Sequence, residues 1–209
     1  MQGAGRRTFS RHGGPAPPRL GTSGASQSDS ATARQSDSAT ALPIFTQSVD
    51  AALAILTVHH WDDWRTGLSE LCRVAPRRLI VTIDFAVHAR FWLLVEYLPE
   101  VADYVLQRAP TTDDIATALH ITAVHALPLA ADMRDGVLGA HWRRPEAYLD
   151  PLVRANCSGL ALANPPTMAA GLAQLEADLA SGLWRRRHAD LLTLETYDAG
   201  YRLLVSDHA

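Results

Sequence analysis

His59 and His60 stand side by side after the apolar run Val49-Asp50-Ala51-Ala52-Leu53-Ala54-Ile55-Leu56-Thr57-Val58 and before Trp61-Asp62-Asp63. Imidazole titrates near neutral pH and takes protons from acceptor groups, so His60 is the candidate general base or the group that orients an acceptor hydroxyl. The plainer reading has one histidine capping the helix that begins near Asp62 and the other packing on Trp61. Adjacent histidines are not i, i+4 partners and no third ligand sits at metal spacing, so no metal site is expected. Asp62 and Asp63 suit a helix start, where carboxylates meet the positive dipole end. Asp84 closes a second apolar run and reads as a cleft carboxylate or as a strand-end cap. Trp92 and Tyr97, with Phe91, line an apolar pocket or belong to ordinary core. Trp142 and Arg143 either recognise an acidic acceptor or serve the local structure. Arg185-Arg186-Arg187-His188 suits a helix C-terminus, where cations oppose the negative dipole end.

Several chemistries are excluded. All 19 basic residues are Arg, so Schiff-base, pyridoxal-phosphate and P-loop lysine chemistry have no residue to use. Cys72 and Cys157 form neither a disulfide framework nor a zinc set. No Gly-x-Ser-x-Gly or His-Glu-x-x-His motif occurs. A net charge of −3 without a basic face argues against nucleic acid. No apolar run approaches the ~20 residues that span a bilayer, so no membrane partner is expected.

The elements that must position these residues can be read from periodicity. The run over 49–58 fits a strand buried on both faces of a parallel sheet. Trp64, Leu68, Leu71 and Cys72 recur at helical spacing until Pro76, and Leu79-Ile80-Val81-Thr82-Ile83 is a second strand. Residues 49–84 therefore predict a right-handed βαβ unit, with His59 and His60 at the carboxyl end of its first strand. Residues 85–108 look helical with a break near Pro99. Thr111 precedes a helix as N-cap, 121–129 is a third strand, and Pro145 opens another helix. Pro165-Pro166 begins a long helix whose apolar stripe runs through Leu175 to Trp184. Residues 197–205 are a final strand, with Tyr201, Leu203 and Val205 on one face and Leu204 on the other.

Residues 1–41 differ from the rest. Gly, Pro, Ser, Thr and Ala dominate, and the net charge is about +3. Gln27-Ser28-Asp29-Ser30-Ala31-Thr32-Ala33 recurs word for word from Gln35 to Ala41. This predicts a disordered leader over 1–41 and one α/β domain over 42–209.

Ala41-Leu42-Pro43-Ile44, Val49-Asp50-Ala51-Ala52-Leu53, His59-His60-Trp61-Asp62 and Leu71-Cys72-Arg73-Val74-Ala75-Pro76 follow one another in a familiar order. Together they resemble class I S-adenosylmethionine-dependent methyltransferases of the ubiquinone/menaquinone-methyltransferase-like, type 11 group. The resemblance covers residues 38–209, the C-terminal part of such a domain. It implies a partial Rossmann-like sheet, strands four to seven, with helices on both faces. It also implies S-adenosyl-L-methionine as cofactor and methyl transfer to a small-molecule acceptor. Carried over residue by residue, it places Ser38, Ala39, Thr57 and His59 beside the cofactor and His60 as the catalytic base. Trp61, Asp84, Trp92, Tyr97, Trp142 and Arg143 then fall on the acceptor side.

The departures shape the expectation. The family's Gly-rich loop after its first strand, and the acid that holds the cofactor ribose, have no counterpart here. Ser38-Ala39-Thr40 stands where the family has Asp-Ala-Glu. The chain thus reads as N-terminally truncated, with little activity of its own. The alternative is a non-catalytic remnant or an interaction module. Without a first strand to pair with, the strand over 51–58 becomes an open apolar edge, and self-association is expected. The Ala- and Arg-rich, Lys-free composition suggests a GC-rich bacterial genome and a cytoplasmic location.

Overall fold

The computed structural model describes residues 39–106, 110–161 and 163–207. The chain divides after residue 35, and every described residue belongs to the second unit. The leader expected over 1–41 lies outside the described residues up to position 38.

The apolar run becomes β1 (Ala51–Ile55). Asp63 then accepts the Thr66 amide at 3.0 Å and starts α1 (Trp64–Val74), satisfying a donor that a helix N-terminus leaves unpaired. β2 (Arg77–Ile83) follows Pro76 and lies parallel to β1, with Leu53 opposite Leu79 and Ile55 opposite Val81. This is the strand–helix–strand unit read from the spacing.

Residues 85–106 form three short helices: α2 (Phe85–His88), α3 (Trp92–Glu96) and α4 (Pro99–Leu106). Thr111 caps α5 (Thr112–Leu119), and Asp114 returns a bond to its backbone amide. The strand expected over 121–129 is split into β3 (Ala123–Ala126) and β4 (Leu129–Ala130), because Pro128 has no amide to donate to a ladder. Pro145 opens a 3-10 turn rather than an α-helix, and α6 (Pro151–Asn156) and α7 (Ser158–Ala161) follow. The long helix is α8 (Pro165–Ala180). It stops before the end of its apolar stripe. Gly182 at φ +70° turns the chain into α9 (Leu183–Arg187), which carries Trp184 inward. β5 (Thr196–Tyr197) and β6 (Tyr201–Asp207) close the domain.

The main sheet has the order β1-β2-β6-β3, with β6 antiparallel to both neighbours; β4 and β5 form a separate ribbon. One face of the main sheet packs on α1 and α5 through Ala52, Ala54, Ile80 and Leu204 against Leu68, Leu71, Ile115 and Leu119. Arg78 is buried beside this core at 5% exposure. Its guanidinium donates to the carbonyls of Ala75, Pro76 and Leu119 and to Ser206 Oγ. Ala75 and Leu119 lie at the C-termini of α1 and α5, so two negative helix ends receive the cation.

A second core is aromatic, built from Phe91, Trp92, Trp142, Tyr148, Trp184 and Tyr201. It meets the other sheet face only at the Ile83–Tyr201 end. Helices thus stand on both faces, but unequally. The strand expected to be buried on both sides is corrected: in β1 only Ala52 and Ala54 are buried, while Leu53 and Ile55 are 58% and 56% exposed. Among the described residues β1 is an edge strand with one face covered. No described helix is long and apolar enough to cross a membrane.

Candidate functional site

The loop after β1 is held in an unusual backbone. Leu56 adopts φ +48°, a left-handed conformation that bulky side chains rarely take, while its amide still bonds to Val81 O at 2.8 Å. A single 3-10 turn, Val58–His60, follows and is anchored by Val58 at 1% exposure. Thr57 Oγ1 accepts the Trp61 indole N–H at 3.2 Å. Trp61 lies against Gly67, where an added Cβ would come within 2.6 Å of the indole ring. Local packing therefore fixes the turn that carries the two histidines.

Next to it, at the end of β2, Asp84 caps α2 by accepting the Val87 amide at 3.3 Å. The Asp84 amide bonds to Gly200 O at 2.7 Å. Gly200 has φ +91°, and a Cβ there would fall 2.7 Å from Asp84 O. Only glycine lets the start of β6 approach α2 this closely.

These elements bring a row of rings together. The His59 and His60 centroids are 4.0 Å apart, His59 lies 5.7 Å from Phe85, Phe85 6.4 Å from His88, and His88 5.9 Å from Tyr201. His88 is buried with Nδ1 2.7 Å from Ala199 O, which assigns the proton to Nδ1. Burial, then His60 and His88, push His59 down to about 4. Burial also lowers His88, opposed in part by the Ala199 carbonyl. Both imidazoles are therefore neutral at physiological pH. His59 Nδ1 is enclosed and has no hydrogen-bond partner. His60 faces solvent. The group can hold an uncharged acceptor against neutral imidazoles and offers His60 as a solvent-facing base.

The structure brings Thr57, His59, His60 and Trp61 onto one turn, beside Asp84. Asp84 serves as a helix cap and stands 3.8 Å from Arg202, which pairs more closely with Asp198 at 2.7 Å. The other expected pocket residues lie elsewhere. Trp92 and Trp142 are buried at 4% and 0% exposure, and their indole N–H groups donate to Trp142 O and Leu129 O. Tyr97 is buried and donates to Asp178 Oδ2 at 2.8 Å, while burial and that carboxylate raise its pKa. All three belong to the aromatic core, and their polar atoms are used within the protein. Arg143 is exposed and donates to Leu194 O. Ala39 sits near Gly67, and Ser38 lies outside the described residues. Sequence reasoning missed His88 and Phe85. Their signal was faint: an α2 only four residues long, directly after the strand end at Asp84.

A nucleoside cofactor needs a backbone that it can approach closely and an acid for its ribose. Among the described residues the only glycines at positive φ are Gly182 and Gly200. The space over Gly200 is filled by Asp84 O and His88 N, and Gly182 lies between α8 and α9. The described residues thus hold no nucleoside cradle. Nor do any three His, Cys, Asp or Glu among them converge as metal ligands.

No protein family description matches the chain, and no curated protein matches it. Among solved structures it is similar to a "putative methyltransferase from antibiotic biosynthesis pathway" of Anabaena variabilis. The two are 30% identical with a TM-score of 0.73, over 80% of this chain and 70% of that one. A "putative methyltransferase" of Bacillus halodurans is 14% identical with a TM-score of 0.41, over 80% and 73% of the two chains. The [4+2]-cyclase SpnF is 13% identical with a TM-score of 0.37, over 80% and 52%. Neither of these two likenesses carries further argument. Identity to the Anabaena protein over most of that protein's length shows that this chain belongs to the methyltransferase family.

Proposed function

We propose that this chain carries the acceptor side of an S-adenosylmethionine-dependent methyltransferase that acts on a small molecule. The observation that carries the reading is the His59–His60 pair on a strained turn at the carboxyl end of the parallel β1–β2 pair, where ligands of α/β sheets bind. In this reading His60 takes the proton of the acceptor, and His59 and Phe85 hold the acceptor in place. Methyltransferase kinship supports an S-adenosylmethionine-type donor, and the lack of a nucleoside cradle among the described residues favours weak binding of it by this chain alone.

The test is calorimetric titration of the full chain with S-adenosylmethionine and S-adenosylhomocysteine. Millimolar or weaker binding is expected. Micromolar binding, roughly −8 kcal/mol, would overturn the reading of weak donor binding. Loss of methyl transfer in His60→Ala at unchanged donor affinity supports the base role, and unchanged transfer refutes it. A second reading, a non-catalytic interaction module, is favoured by the open β1 edge with Leu53 and Ile55 exposed.

A further inference from the structure

Between α4, α7 and α8 the aromatic core opens toward the surface in a cavity of about 260 Å³. Leu98 and Val101 line its floor and belong to the core, at 1% and 6% exposure. Ala163 and Met168 wall it and are packed against the same core. Gly171 lets α8 close down on the turn before α4, because a Cβ there would collide with the Tyr97 carbonyl. Floor and walls thus present apolar surface that the described side chains leave uncovered.

The rim has a different chemistry. Glu100, Asn164 and Thr167 line it, and among the described residues no basic side chain does. Asn164 is the N-cap residue of α8, yet its side chain makes no capping bond. Pro165 and Pro166 fill the first helical positions and remove two amide donors that a helix start otherwise offers an anion. The rim therefore presents a carboxylate, an amide oxygen and a hydroxyl oxygen, and no cation to meet an acid. An ammonium group is the complement of that set, with three N–H donors and no acceptor.

We propose that this cavity binds a small organic amine, with its apolar body on Leu98, Val101 and Met168 and its ammonium group at the Glu100 carboxylate. The volume lies below the ~300 Å³ at which pockets for drug-sized ligands begin, so the ligand is a single ring or a short chain. For about ten heavy atoms the expected Kd is about 0.1–1 mM. The cavity uses none of the residues of the histidine turn. The proposal does not depend on the methyltransferase reading, and its failure would leave that reading untouched.

Phenethylamine is the ligand to test, with phenylethanol and phenylpropanoate as its neutral and anionic counterparts. NMR titration of the full chain with isotope-labelled methionine methyls reads the cavity directly, since Met168 lines it and Met133 does not. The amine is expected to shift the Met168 methyl saturably, and the alcohol to bind about tenfold more weakly or not at all. Glu100→Gln should bring the amine down to the level of the alcohol. Thr167→Trp fills the cavity and should abolish the shift, and both variants should keep the wild-type circular dichroism. No Met168 shift at about 10 mM amine overturns the proposal. Equal binding of the alcohol or the acid overturns the assignment to an amine. Amine binding that is unchanged in Thr167→Trp, or that moves Met133 instead of Met168, overturns the assignment to this cavity.

Discussion

Replacing His59 by Gln should flatten the acid side of the stability profile. His59 is held at about 4 by burial, then by His60 and His88, whereas an unfolded histidine titrates near 6.5. The unfolded chain therefore binds more protons between these values, and stability rises with pH across that window. The contribution of neutral His59 is intact above about 6.5 and is lost as pH falls toward 4. At full strength the shift is worth about 2 kcal/mol between pH ~7 and pH ~5. His59 is only partly buried, so screening by water reduces this to about 1 kcal/mol. His88 is depressed by burial in the same direction and stays in the variant, so wild type must be compared with variant at each pH. Urea unfolding at both pH values supplies the four free energies needed. Wild type should lose about 1 kcal/mol more than His59→Gln on acidification. Equal losses would refute the account of why His59 is neutral, and with it the picture of an uncharged acceptor wall.

Arg78→Met should cost about 2–4 kcal/mol in urea unfolding, because the Ala75 and Pro76 carbonyls lose their donor inside the core. Gly200→Ala should destabilise by about 2 kcal/mol or more, since φ +91° and the nearby Asp84 carbonyl both oppose a Cβ. The same variant should disturb the His88 ring signals in NMR spectra, because the Gly200 Cβ position lies 3.2 Å from His88 Cβ. Thr111→Ala removes the Thr111 Oγ1 acceptor of the Asp114 amide while keeping the backbone amide that donates to Asp114, and should lower stability by about 1 kcal/mol.

Much of the fold was legible because its signals are local. Asp63 before Trp64 and Thr111 before α5 mark helix starts by cap chemistry, and Pro76 marks an end. The β1–α1–β2 unit follows from period and spacing alone. The alternation in β6 placed Leu204 opposite Tyr201, Leu203 and Val205, and Leu204 indeed lies in the first core. The misses have tertiary causes. Residues 85–108 read as helix broken near Pro99 because their aromatics recur at nearly helical spacing. Packing Phe91, Trp92 and Tyr97 into one core requires two reversals that periodicity does not record. Gly182 was equally silent. Glycine is tolerated in a helix, and only the demand to bury Trp184 turns it into a break.

The site shows the same division. His59 and His60 announce themselves as a pair after a strand, but His88 and Tyr201 reach them only through the parallel register of β1 on β2 and the antiparallel return of β6. Aromatic residues expected around an acceptor were placed by type, and type cannot distinguish a pocket wall from a core. Hydrogen bonding can. An indole N–H aimed at a backbone carbonyl, as in Trp92 and Trp142, is already used and has nothing to offer a ligand. An imidazole nitrogen without a partner, as in His59, has its bonding capacity still to spend. By that criterion Trp92 and Trp142 drop out of the proposed acceptor wall, and His59 on the β1 turn stays in it. That turn stands at the end of the strand whose outer edge and second face the described residues leave open, so whatever covers β1 lies within reach of the histidine pair proposed as the site.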